Sequence, residues 1–134
     1  MNIQRYWMAV VASFITMAIA GIVGSMLTME QLASYAAMGR SEEDVNAMMP
    51  IMMVAYFVIT AIFCYIYIKM RETGDVIEGI KIGIMFGVMM SGMTWISYTM
   101  LPFEMPALLA DNAINIFAYI VGGVTVALIY KPKS

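Results

Sequence analysis

Four apolar stretches, each about twenty residues long, alternate with short clusters of charged residues along this chain of 134 residues. A helix rises about 1.5 Å per residue, so each stretch is long enough to cross the roughly 30 Å hydrocarbon core of a bilayer. Charged residues make up only 12% of the chain, against about a quarter in soluble domains. We therefore predict an all-α integral membrane four-helix bundle, with residues 1–134 forming a single membrane domain.

The predicted spans cover approximately residues 6–27, 48–68, 80–101 and 107–130. No glycine or proline follows span one before Gly39, so its helix is expected to continue beyond the membrane to that residue. Together with the start of the second helix, residues 28–47 would then form a helical hairpin on the outer side.

Capping patterns predict where the later helices begin. Ser41 precedes three acidic residues, and Asp75 precedes Glu78 by three residues, as side chains do when they bind the free N–H groups of a helix start. Because the turn around Gly74 is short, spans two and three are expected to be antiparallel neighbours. Pro106 suits the first turn of span four.

The basic residues are distributed unequally between the two sides of the predicted bundle. The positive-inside rule places the side that is rich in lysine and arginine in the cytoplasm, so both termini are predicted to be cytoplasmic. On the outer side the only basic residue is Arg40. The basic residues on the side of the termini are Arg5, Lys69, Arg71, Lys81, Lys131 and Lys133.

Several kinds of chemistry lack their usual residues. The chain contains no histidine, which is a common ligand of zinc and haem and the commonest general base. Its single cysteine, Cys64, lies within an apolar run and is interpreted as a small core residue. No phosphate-binding loop, nucleophile elbow or basic nucleic-acid footprint occurs. The sequence thus predicts a protein that is not an enzyme, holds no cofactor and binds no nucleic acid.

Span three carries small residues at every fourth position, which line one face of the helix with almost no side chain. Such stripes let helix backbones approach closely in lipid, where packing drives helix association. Span one has Ala20 and Gly24 at the same spacing, and span four has Ala118 and Gly122. Either span or another subunit could be the partner, and packing within the chain is the favoured interpretation. The stripe, a glycine zipper, consists of Gly79, Gly83, Gly87 and Ser91.

Methionine is unusually frequent, with 17 residues. Thioethers can bind copper(I), and residues four positions apart lie on one face of a helix. However, leucine occurs only six times, so methionine is more simply interpreted as filling positions that leucine usually takes. No metal site is favoured, and the candidate copper ligands are Met48, Met49, Met52 and Met53.

Asp111 and Asn115, four residues apart in span four, form the one candidate polar or ion site. Ionisable groups inside a span are costly and usually have partners. The favoured interpretation places Asp111 near the outer interface, where the amino terminus of its helix stabilises a carboxylate. If Asp111 lies deeper, it could share a polar patch with Thr94 or Tyr98. Glu104 would then lie at the mouth of that patch.

Arg5 opens span one, residues 42–53 lead into span two, and residues 78–83 open span three. Residues 101–102 close span three, and residues 127–132 end span four. This layout resembles a group of small uncharacterised bacterial inner-membrane proteins with four spans and a glycine-rich third helix. The resemblance covers nearly the entire chain and implies a multi-pass protein of the bacterial inner membrane, but it implies no activity and no catalytic residue.

Close-packing surface without cofactor ligands or a continuous polar path favours a non-enzymatic accessory or structural subunit. Such a subunit would pack against a larger respiratory, photosynthetic or transport complex, or against its own copies, with membrane lipid around it. A small oligomeric transporter or channel for copper(I), a proton or another cation is the first alternative. A binder of lipid or of a hydrophobic small molecule is the second alternative.

Overall fold

A computed structural model describes residues 1–131, which form five helices and no strand. The helices are α1 (Ile3–Leu27), α2 (Ala33–Ala37), α3 (Glu42–Met70), α4 (Val76–Met100) and α5 (Met105–Ile129). All except α2 are long and apolar enough to cross a membrane. The described residues therefore confirm the predicted all-α four-helix bundle.

The later helices begin where their capping residues predict. The Ser41 hydroxyl accepts a hydrogen bond from the backbone N–H of Asp44 at 3.2 Å, and α3 begins directly after Ser41. The Asp75 carboxylate accepts one from the backbone N–H of Glu78 at 2.7 Å, and α4 begins directly after Asp75. Gly74 supplies the positive φ of 70° in the turn between these helices.

The helix of span one does not continue to Gly39, and this prediction is wrong. α1 ends at Leu27, residues 28–32 form turns, and α2 is a separate short helix. The hydroxyl of Thr28 donates to the carbonyl of Gly24 at 2.7 Å. Such local side-chain bonds compete with the backbone ladder that would extend the helix.

The connection from α1 to α3 folds back against the start of α5 instead of extending α1 outward. The rings of Tyr35 in α2 and Phe103 before α5 lie 5.1 Å apart, edge to face. The Ser34 hydroxyl also accepts a hydrogen bond from the backbone N–H of Glu104 at 3.1 Å. These tertiary contacts determine the path of residues 28–41, and a reading of local sequence could not include them.

α5 is the central helix of the bundle. It packs most extensively against α4 and next against α1, while α3 packs mainly against α1. α3 and α4 follow each other after a short turn but share few contacts. The expected pairing of spans two and three is therefore limited, because small residues bring α4 and α5 together instead.

The α4 stripe of small residues lies directly against α5. A Cβ atom added at any of its three glycines would overlap the α5 backbone. The two antiparallel backbones therefore touch with no side chain between them, as small residues permit. Ser91 continues the stripe and is also buried. The three contacts join Gly79 to Gly123, Gly83 to Tyr119 and Gly87 to Ile116.

The half of the bundle that contains the start of α1 and the end of α5, which we call the terminal half, contains the main core. On the side of this core that is farther from the start of α1, the ring of Phe63 lies 5.0 Å from that of Phe86 and 5.3 Å from that of Tyr119. On the side nearer the start of α1, the Arg71 guanidinium lies 4.6 Å above the Tyr130 ring and donates to the Tyr130 carbonyl. The opposite half, which we call the distal half, has no comparable core among residues 1–131.

Gly83→Ala is expected to destabilise the bundle by about 1–3 kcal/mol, the usual cost of overpacking, because the added methyl group overlaps the Tyr119 carbonyl. Gly92→Ala in the same helix is the matched control, since nothing lies within 4 Å of its added carbon. Thermal unfolding in detergent micelles should show a lower midpoint for the first variant only. Equal midpoints for the two variants would contradict the backbone contact.

Candidate functional site

The distal half of the bundle is open beside α3. Every residue from 41 to 56 is exposed, whereas Phe63, two turns closer to the terminal end, is buried. Tyr56 and Met53 continue the face of Phe63 at helical spacing, yet they are 56% and 44% exposed. The distal half of α3 is therefore not covered by another helix of residues 1–131. We use the term distal cleft for the side of the bundle along residues 41–56 of α3 that no described helix covers.

The ring cluster of Phe63, Phe86 and Tyr119 lies on the terminal side of the distal cleft. From Tyr119, polar residues of α5 continue toward the distal end. Asn115 and Asn112 lie four and seven residues before Tyr119, which places all three on one helix face. Both asparagines are partly buried, as is the neighbouring Asp111.

Asp111 is the centre of a hydrogen-bonded cluster between α4 and α5. Its Oδ2 atom accepts from the Thr94 hydroxyl at 2.7 Å and from the side-chain amide of Asn115 at 3.0 Å. Tyr98, the other sequence candidate on α4, instead packs its ring 5.5 Å from that of Phe103. The structure thus joins Asp111 to Asn115 and Thr94, and Tyr98 has a packing role.

Asp111 lies beyond the first turn of its helix, where the helix dipole favours a carboxylate most strongly. It follows Met105 by six residues, which is about 9 Å along the axis. α5 has 25 residues and is about 37 Å long, so centring it on a core of about 30 Å places Asp111 about 5 Å inside the hydrocarbon. Ionisable groups at such positions usually face a partner or a polar cavity.

Asn112 adds an unpartnered acceptor at the same level. Its Oδ1 atom is buried and has no hydrogen-bond partner. The antiparallel register places Asn112 opposite Ser91, because Gly87 lies against Ile116. The Ser91 hydroxyl donates to the Gly87 carbonyl at 2.8 Å and so does not reach Asn112. Sequence reasoning left Asn112 out of the candidate site, although its spacing from Asn115 was a signal for a shared face.

Glu104 lies apart from the cluster, at the N-cap position of α5. Its side chain is exposed and makes no capping hydrogen bond. Glu104 precedes Asp111 by seven residues, or about two turns of helix. The role of Glu104 at the mouth of the site stays a prediction.

The four candidate copper ligands lie in the distal half of α3 and are between 37% and 44% exposed. Each pair at a spacing of four residues offers two thioether sulfurs on one helix face. Among residues 1–131, no group of three or more histidine, cysteine, aspartate or glutamate residues could hold a metal ion. Copper binding by thioethers alone stays a prediction for Met48, Met49, Met52 and Met53.

Sequence reasoning missed the polar contacts between α1 and α5. The Ser13 hydroxyl donates to the Gly122 carbonyl at 3.4 Å, and the hydroxyl oxygens of Thr16 and Thr125 lie 2.9 Å apart. Ser13 and Thr16 are one turn apart within span one, and this was the available signal. These contacts hold α1 against the side of α5 that α4 does not cover.

No family model, curated protein or solved structure matches this chain. The chemistry of the distal cluster therefore rests on its own side chains. Carboxylate and amide oxygens are acceptors that suit a hard cation or a hydrogen-bond donor. The cluster presents such acceptor oxygens between α4 and α5.

Thr94→Val should destabilise the protein by about 0.6 kcal/mol, and by no more than roughly 1.7, as measured for hydrogen bonds between transmembrane helices. Thr99→Val is the control, because the Thr99 hydroxyl donates to the Ile96 carbonyl of its own helix at 2.7 Å. Unfolding in mixed detergent and SDS micelles gives both values. If the two substitutions cost the same, the Thr94–Asp111 bond does not join the helices.

Proposed function

We propose that this chain is a non-enzymatic accessory or structural subunit that packs against another membrane protein or a second copy of itself. The observation that carries the proposal is the uncovered distal half of α3, a helix of 29 residues. Its terminal half is packed against α1, where the Phe57 ring contacts those of Trp7 and Phe14. One helix therefore has a buried half and an open half.

An uncovered helix side such as the distal cleft favours association with another helix in lipid. Acyl chains must become ordered to fill a narrow space between helices, whereas a helix from another chain gains van der Waals contact along its length. The exposed side chains of this surface include methionines, which adapt to irregular partner surfaces because they are flexible and polarizable. They include Met49, Met52 and Met53.

The α4 stripe is not the surface that we assign to this role. α5 covers it, and an added Cβ atom at Gly79 or Gly83 would overlap backbone of the same chain. An association surface must therefore lie elsewhere, and the distal half of α3 is the longest uncovered segment of the described spans.

We further propose that the protein lies in a bacterial inner membrane with both termini in the cytoplasm. The resemblance of its layout to bacterial four-span proteins supports the membrane, and the positive-inside rule supports the orientation. Asn2 and Arg71 both bind Tyr130, so the start of α1, the end of α5 and the α3–α4 turn meet at one end of the bundle. Most of the basic residues belong to these segments.

A photo-crosslinking amino acid at position 53 should test the association. We expect a crosslinker in place of Met53 to form adducts with another protein chain in native membranes, because this position lies on the exposed side of α3 in the distal cleft. Mass spectrometry of the adducts would identify either a second copy or another membrane protein, and each result supports the proposal.

The matched control is the same crosslinker at Phe117 of α5, which is 51% exposed at mid-span. We expect this position to capture lipid. Lipid adducts alone at both positions, from a protein that also migrates as a monomer in mild detergent, would refute the association.

A further inference from the structure

We propose that Asp111, Asn112 and Asn115 bind a monovalent cation that reaches them from the distal end of α5. The site lies on α5 and is completed by Thr94 of α4. It does not depend on the association proposed above, because no partner chain contributes to it.

The Asp111 carboxylate has hydrogen bonds but no described opposite charge beside it. Its donors among residues 1–131, the Thr94 hydroxyl and the Asn115 amide, are both neutral. A charge inside an apolar span is costly unless another charge compensates it. The described basic residues lie near the terminal end, except for Arg40 in the connection between α2 and α3.

Acceptor oxygens remain available around this carboxylate. Both donors bind the same oxygen of Asp111, Oδ2, so Oδ1 receives no described hydrogen bond. Oδ1 of the adjacent Asn112 is buried without a partner. The amide of Asn115 uses its nitrogen toward Asp111, which leaves its own oxygen as an acceptor. Buried acceptors without donors are rare, and a bound ion is one way to satisfy them.

The donor set indicates the class of cation. Carboxylate, amide and hydroxyl oxygens are hard ligands, which favour Na⁺ or K⁺ over copper or zinc. The single carboxylate balances one positive charge, whereas a divalent ion would leave a net charge inside the span. A monovalent ion is therefore the occupant that neutralises Asp111.

The short distance from the distal end of α5 provides the route to the site, because Asp111 lies about 9 Å along the helix axis from Met105. Toward the terminal half, the rings of Phe63, Phe86 and Tyr119 fill the space between the helices. A cation can thus arrive from the distal end and stop above these rings, which describes a binding site and not a continuous pore.

Thermal unfolding of the full chain in lipid nanodiscs tests this site. Chloride salts of sodium, potassium, calcium and the bulky cation N-methylglucamine are compared at equal ionic strength. We expect Na⁺ or K⁺ to raise the midpoint in a saturable way relative to N-methylglucamine, because binding to the folded state stabilises it. No rise, or a rise with Ca²⁺ only, would overturn the proposal.

Asp111→Asn should weaken the cation response by at least about tenfold in apparent affinity, since a charged ligand becomes neutral. The new side chain keeps an oxygen that can accept from Thr94 and Asn115, so the helix pair is retained. Glu30→Gln is the matched control, because it removes an exposed carboxylate from the turn that follows α1, outside the site, and should leave the response unchanged. An equal response in Asp111→Asn and the unmodified chain would refute the site.

Asn112→Leu gives an independent reading if Asp111→Asn folds poorly. It removes the unpartnered oxygen, leaves the carboxylate in place, and puts a side chain with the same number of heavy atoms opposite Ser91. We expect a stable protein with a weakened response to Na⁺ or K⁺. A stable protein with an unchanged response would show that Asn112 is not a ligand and would overturn the proposed site.

Discussion

The contact between the backbones of α4 and α5 determines where the other helices lie. Gly79 and Gly123 approach so closely that neither position can carry a Cβ atom. On its other side, α5 presents Gly122 to α1, where Ser13 binds its carbonyl. Apolar helices gain little from the hydrophobic effect in lipid, so such close contacts set the order of packing. α3 has no glycine and packs mainly against α1, while its Phe63 ring contacts the rings of Phe86 and Tyr119.

The helix starts were predictable because they depend on hydrogen bonds between residues close in sequence. The helix partners depend on contacts between residues far apart in sequence and were not predictable in this way. Ser41 and Asp75 bind N–H groups three residues away, so their roles can be predicted from a few neighbouring residues. The partner of the α4 stripe is different, because α5 contributes backbone at Tyr119 and Ile116. These are large residues that contribute backbone atoms to the contact, and no small-residue pattern marks them. The spacing of Ala118 and Gly122 was visible, yet Gly122 faces Met17 of α1.

The divergence of α3 has a physical cause in the faces that would otherwise meet. In the terminal half, Phe63 of α3 packs against two aromatic rings, and each ring loses apolar surface to the contact. Toward the distal end, the same face of α5 carries Asn115 and Asn112, while the facing side of α3 carries Met53. A methionine offers no hydrogen-bond donor, so closing this half would not satisfy these amide oxygens. The bundle is therefore closed where both faces are apolar and open where they differ.

The change from glycine contact to polar contact along α4 occurs within a single turn. Ser91 is the last small residue of the stripe, and Thr94 already binds the carboxylate of Asp111. Leucine at position 112 would pack opposite Ser91 without a buried unpaired oxygen, whereas Asn112 leaves its Oδ1 without a partner. Proteins break the rule of polar satisfaction mainly at functional positions and compensate with stability elsewhere. The packing of α4 on α5 leaves this oxygen without a donor, and the cation proposed above would give it a partner.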